Sequence, residues 1–218
     1  GAWQTLPAAA IACVTHMRVW DKQQRDIVFS ANAIGRSHLN TIVTNTALVA
    51  SLQQLLVQYQ VTVFEHMQCQ SLEQTAEQVT LVCDQHTLTA KSLIGADGAR
   101  SWVREQLPLI VNEKAFHQQA IVAIIESEKP HQHTAYQWFT EHGPLALLPQ
   151  ANSCQTAMVW ACDDADANEL LALSDYAFKQ ALTAATHKQL GACQLLNQRH
   201  HLPLATRLLD STVAGRCV

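Results

Sequence analysis

The stretch Ser92-Leu93-Ile94-Gly95-Ala96-Asp97-Gly98-Ala99-Arg100-Ser101 constrains this chain more than any other. It reads as an apolar strand ending in a Gly-Ala-Asp-Gly turn, with Ser101 placed to cap a short helix over Trp102–Gln106. Open α/β sheets bind ligands at the carboxyl ends of their strands, and a strand that delivers a carboxylate there fits such a site. Glycine lets backbone approach a ligand closely, and Arg100 or Arg104 can meet a phosphate. A plain turn between strand and helix uses the same residues, because Asp-Gly is ordinary turn chemistry. On the motif alone both readings stand.

Upstream, Arg18–Asp21 and Ile27–Ala31 read as a short antiparallel pair, turning through Lys22–Asp26. Asn40–Gln58 places Ile42, Leu48, Leu52, Leu55 and Leu56 at helical spacing, with Ser37 or Asn40 as cap. The β-branched run Val61-Thr62-Val63-Phe64 follows as a strand joining a parallel sheet. Val79–Cys83 and Leu88–Lys91 form a small antiparallel meander. Downstream the character changes. Ala120–Glu126, Tyr136–Thr140, Leu145–Pro149 and Thr156–Cys162 are four strands separated by Pro, Gly, Asn and Ser turns. Helices follow over Ala167–Leu173 and Tyr176–Leu190, the second capped near Ser174 or Asp175, then a strand over Gln194–Leu204.

The net charge of −4 and the absence of Lys/Arg clusters remove the footprint that nucleic acid demands. No apolar run reaches the roughly 18 residues of a membrane span, so a cytoplasmic location is the expectation. Seven scattered cysteines, never spaced Cys-x-x-Cys, suit a reducing compartment rather than a disulfide framework. Eleven histidines, with His131-Gln132-His133 and His200-His201 among them, invite a metal reading. Neither cluster has zinc spacing, and hydrogen-bonded or solvated histidine is the simpler expectation.

With these residues in hand, the chain resembles the flavoprotein aromatic hydroxylases of ubiquinone biosynthesis, within the class A flavin monooxygenases. The likeness is carried by Gly1-Ala2-Trp3-Gln4, Met17-Arg18-Val19-Trp20-Asp21-Lys22, Ser37-His38-Leu39, Ile42-Val43-Thr44-Asn45, Leu93 to Trp102, Gly143-Pro144-Leu145-Ala146-Leu147-Leu148-Pro149 and Val159-Trp160. The Val-Trp-Asp-Lys and Ser-His-Leu stretches are most similar to the octaprenylphenol-hydroxylating branch. Phe139 to Ala146 is more similar to the methoxyphenol-hydroxylating branch. Family members show Glu-Asn where this chain has Thr44-Asn45, so any role of that acidic position is absent here.

The resemblance implies an α/β fold: a partial Rossmann-like FAD-binding domain from 1–14 and 32–113, and an antiparallel substrate-side sheet from 15–31 and 114–208. The segment 209–218 then opens a further FAD-domain strand. It implies that NAD(P)H reduces FAD and that oxygen activated at the flavin enters a polyprenylphenol ring. No catalytic side chain is marked. Asp97 and Gly98 are implicated in cofactor contact, with Gly95, Arg100 and Ser101 beside them. Trp138, Phe139, Leu148, Pro149 and Trp160 are candidates for the ring or prenyl pocket, although apolar residues on a sheet are more often core. The chain has no Gly-x-Gly-x-x-Gly and no Gly-Asp-Ala-Ala-His-type segment. The resemblance therefore implies a chain cut at both ends, holding FAD poorly, inactive alone, and associating as a homo-oligomer or with other ubiquinone-biosynthesis proteins. A prenyl substrate adds peripheral contact with the inner membrane, for which no basic amphipathic helix is visible. The rival reading is a non-catalytic quinone- or lipid-binding module.

Overall fold

In the segments 121–125, 145–149 and 158–162 buried apolar residues recur at every second position, and strands are what place such a pattern on one face. The computed structural model describes residues 1–218. Its strands are β1 (Ile11–Val14), β2 (His16–Trp20), β3 (Asp26–Ser30), β4 (Asn40–Val43), β5 (Cys69–Gln74), β6 (Val79–Cys83) and β7 (Thr87–Ala90). They continue as β8 (Val111–Ser127), β9 (Thr134–Thr140), β10 (Gly143–Pro149), β11 (Gln155–Asp163), β12 (Cys193–Leu195) and β13 (His200–Leu209). The helices are α1 (Ala2–Thr5), α2 (Asn45–Gln58), α3 (Trp102–Glu105), α4 (Asp164–Ala172) and α5 (Asp175–Ala185). The chain packs as two units, 1–60 with 116–204 and 61–115 with 205–218.

The first unit is built on a sheet of order β12-β8-β11-β10-β9-β2-β3, with β13 also pairing β8. All its neighbours within this unit run antiparallel except β2 and β9, which are parallel. The four central strands expected from the sequence are present. Their inward residues, Ile121, Ile125, Leu145, Leu147, Met158 and Trp160, are buried beneath Phe178 and Leu182 of α5 and Leu170 of α4. Fully burying an aliphatic or phenyl side chain of this kind is worth roughly 1.5–3 kcal/mol. Trp20 stacks on Trp138 with centroids 5.0 Å apart, and the Arg18 guanidinium lies 4.8 Å above Trp20. Both helices start on side-chain caps: Asp163 accepts from the Asp166 N–H, and Ser174, as expected, from the Ala177 N–H. Arg199 closes the far end of α4 by donating to the carbonyls of Leu170 and Leu173. The hairpin of β2 and β3 is also as expected.

Several expectations need correction. The helix begins at Asn45 rather than Asn40, behind Thr44. The β-branched residues Thr41, Ile42 and Val43 pair instead with β1, so neither Ser37 nor Asn40 is its cap. Val61–Phe64 forms no strand, because no neighbouring strand in the chain offers it a ladder. The helix from Asp175 ends at Ala185, although Leu190 beyond it still joins the core. Gln194–Leu204 is divided between β12 and β13.

The second unit holds the antiparallel sheet β5-β6-β7, of which the sequence had indicated β6 and β7. Ser92–Ile94 is less than a full strand. Leu93 makes one parallel bridge with Cys217, supported by bonds between Leu93 and the backbones of Arg216 and Val218. Arg216 ties the unit together, donating to the carbonyls of Ala76 and Lys91, while Arg207 pairs with Glu113 at 2.7 Å.

Candidate functional site

In the second unit the Asp97 loop has a definite build. Ser101 is the N-cap of α3 and accepts from the Arg104 N–H at 3.0 Å. Asp97 Oδ2 accepts from the Val103 N–H at 3.1 Å, so the carboxylate turns back to order its own loop. Its partial desolvation would raise its pKa, but the hydrogen bonds from the Ser101 hydroxyl and the backbone outweigh this and hold it below the ordinary carboxylate range. Gly98 has φ +86°, and a Cβ there would meet nothing within 4 Å, so its backbone is open to close approach. Gly95 is tight for another reason: a Cβ would lie 3.0 Å from Val103 Cγ1. Arg104 is held by the Ala99 carbonyl at 2.9 Å, and Arg100 is exposed. A cleft of about 230 Å³ adjoins Gly95, Gly98 and Ser101. That is below the roughly 300–1,000 Å³ of complete small-molecule sites.

In the first unit, strand register separates the five pocket candidates. Trp138, Pro149 and Trp160 point to the helix side and are buried there. Phe139 and Leu148 lie on the opposite face. That second face carries half-buried Val122, Val159, Ala146, Gln137 and Val19 in one row across five strands. Gln137 is the polar member of the row. The sequence reading missed it, although a polar residue between Tyr136 and Trp138 on an alternating strand marks the position.

Trp138, Phe139 and Trp160 also meet at a cleft of about 550 Å³ beside α5, and Leu148 and Pro149 stay outside it. Its mouth is polar, with Lys22, Glu141 and His142, and His142 pairs with Asp166 at 2.9 Å.

The histidine cluster is a structural knot. The His131 ring is buried, with Nε2 3.1 Å from the carbonyl oxygens of both Gln150 and Asn152. Its Nδ1 accepts from the His133 N–H at 3.1 Å. A neutral ring protonated on Nε2 satisfies all three contacts. Burial, against the opposing carbonyl bonds, lowers its pKa, and His133 lowers it further. These bonds hold Gln132 and His133 at positive φ, +51° and +55°.

The fold is shared with p-nitrophenol 4-monooxygenase of Pseudomonas putida, at TM-score 0.71 and 11% identity, over 96% of this chain and 55% of that one. That likeness is one of fold. The chain belongs to the FAD binding domain family, which it matches over residues 11–218. Its relatives are enzymes of ubiquinone biosynthesis. It is 28% identical to the ubiquinone biosynthesis monooxygenase COQ6 of Danio rerio, over 85% of this chain and 40% of that protein. It is 26% identical to the 3-demethoxyubiquinol 3-hydroxylase of Escherichia coli, over 73% of this chain and 41% of that protein. The chain thus spans about two fifths of the length of these curated relatives.

Proposed function

We propose that this chain forms the substrate-side sheet and part of the cofactor contact of a flavin-dependent monooxygenase that hydroxylates the ring of a polyprenylphenol in ubiquinone biosynthesis. The observation that carries the proposal is the half-bare apolar sheet face with Gln137 in its row, in a chain whose relatives are ubiquinone-biosynthesis monooxygenases. FAD, when bound and reduced by NAD(P)H, supplies the oxygen chemistry. The backbone at Gly98 lies open to the cofactor, while Asp97 and Ser101 keep that loop in shape and Gly95 packs it against Val103. Arg100 is the free cation available to a phosphate.

On the sheet, Val159, Ala146, Phe139 and Leu148 present a flat apolar surface that covers an aromatic ring and excludes water from it. The Gln137 amide orients the phenol hydroxyl. Trp138, Trp160 and Pro149 serve the ring indirectly, by holding the strands rigid. The cleft beside α5 suits the substrate less well, since its walls are packed core and its mouth is charged.

Similarity to the 3-demethoxyubiquinol 3-hydroxylase favours a second reading, in which the ring already carries a methoxy substituent. A homo-oligomer is part of the proposal, supported by Ile27, Val28 and Phe29 on the edge strand β3, all more than half exposed. Peripheral contact with the membrane is a further part, and no helix is long and apolar enough to cross one.

Removing the gene tests the function. Ubiquinone should fall while a prenylated phenol with an unoxidised ring position accumulates, and the position identifies the branch. Unchanged ubiquinone would refute the proposal.

A further inference from the structure

In the second unit, Cys69 on β5 and Cys83 on β6 are directly opposite each other across an antiparallel ladder. The Asp84 N–H donates to the Gln68 carbonyl, so the neighbouring pair takes the ladder bond and the cysteines occupy the non-hydrogen-bonded position. There the two backbones approach most closely and their side chains meet. The sulfurs are 3.9 Å apart. A disulfide needs about 2 Å, within reach of side-chain rotation when the Cα atoms are spaced as in such a pair. The ladder also shifts register between Cys69 and Ser71, which loosens β5 at this point. Cys69 is partly exposed and Cys83 is buried, an arrangement in which one thiol meets an oxidant and the other resolves it. None of the other five cysteines has a second sulfur in contact. Buried Cys162 and Cys193 have thiols pushed up to about 11, and Cys217 contacts Gln74 Oε1.

We propose that Cys69 and Cys83 are a redox modification site, closing to an intramolecular disulfide when hydrogen peroxide reaches Cys69. Peroxide transfers one oxygen to the Cys69 thiol, giving a sulfenic acid and water. The Cys83 sulfur then attacks the Cys69 sulfur, the S–O bond breaks, and a second water leaves. Two thiols lose two hydrogens and two electrons, and peroxide accepts them. Burial, then the contact with Cys83 and the carboxylates of Asp97 and Asp84, hold the Cys69 pKa above its ordinary value. The thiolate is therefore scarce at neutral pH, and closure accelerates as the pH rises. The disulfide chemistry stands independently of the cofactor assignment.

The test is to treat the full chain with hydrogen peroxide at neutral and mildly alkaline pH, block remaining thiols, digest, and identify cysteine peptides by mass spectrometry. The expected result is a Cys69–Cys83 linked peptide as the main product, reversed by dithiothreitol and formed faster at the higher pH. Cys69→Ser should abolish it. Cys83→Ala should drive Cys69 to the sulfinic acid instead. Free Cys69 and Cys83 in wild-type chain whose exposed Cys13 is oxidised, or Cys69 sulfinic acid without the bridge, would overturn the proposal.

Discussion

The two units reach order by different means. The first is held by burial, with Ile121, Ile125, Leu145, Leu147, Met158, Trp160 and Phe178 all at or near zero exposure in one cluster. The second has few buried apolar residues, chiefly Val79, Cys83 and Cys217, while Val61, Val63, Phe64, Ile94, Ile110 and Leu208 stand exposed. What it has instead are polar ties: Arg216 to backbone carbonyls, Arg207 to Glu113, and Asp210 to the Ile110 N–H. Since burial supplies most of the stabilisation in a domain and exposed polar ties supply little, the first unit should be the more stable.

The largest effect should come from the first core. Trp160→Ala removes a side chain that is 1% exposed and should cost about 3–5 kcal/mol in chemical denaturation. A loss under 1 kcal/mol would mean the sheet and helices are not one cooperative body. Gly143→Ala should cost about 3 kcal/mol, because Gly143 has φ +118° and a Cβ would lie 2.2 Å from the Ala161 carbonyl oxygen. A variant as stable as wild type would refute the hairpin geometry.

His131 sharpens the comparison by pH. Its folded pKa is lowered, so its contribution is present above the unfolded value of about 6.5 and is lost as pH falls below it. His131→Ala should cost about 1–3 kcal/mol at neutral pH and progressively less in acid. A cost that does not change with pH would show that the ring is not held neutral. The smallest expected effect belongs to the second unit. Arg216→Ala should cost about 1 kcal/mol and speed amide exchange in β5–β7, leaving β8–β11 unchanged. Equal acceleration in both sheets would erase the distinction drawn between them.

What was legible in the sequence follows the same division. The four central strands and the Ser174 cap were visible because one-sided burial imposes a period of two and a cap has its own chemistry. Strand β5, Cys-Gln-Ser-Leu-Glu-Gln, is mostly polar and had no such pattern. Val61–Phe64 had the composition of a strand, but a strand needs a partner, and composition does not supply one. Thr41-Ile42-Val43 fell into a helical count because Ile42 happened to match its spacing. At the site, the Asp97 loop was visible as a motif, but not that its carboxylate turns inward to the Val103 N–H. Trp138 and Phe139 are adjacent in sequence yet face opposite sides of the sheet, which register alone reveals. Gln137 is marked in the sequence only by its place between Tyr136 and Trp138, and its position in the open row follows from register.

The most direct test of the proposal that the open sheet face is the working surface is the Gln137→Leu substitution made in the whole gene, assayed for prenylphenol hydroxylation in cells lacking the native copy, alongside the thermal stability of the purified variant. Loss of one hydrogen bond that orients the ring should lower the rate about tenfold, equivalent to roughly 1.4 kcal/mol, with Tm unchanged. A wild-type rate from a stable Gln137→Leu protein would contradict the assignment of that face to the substrate.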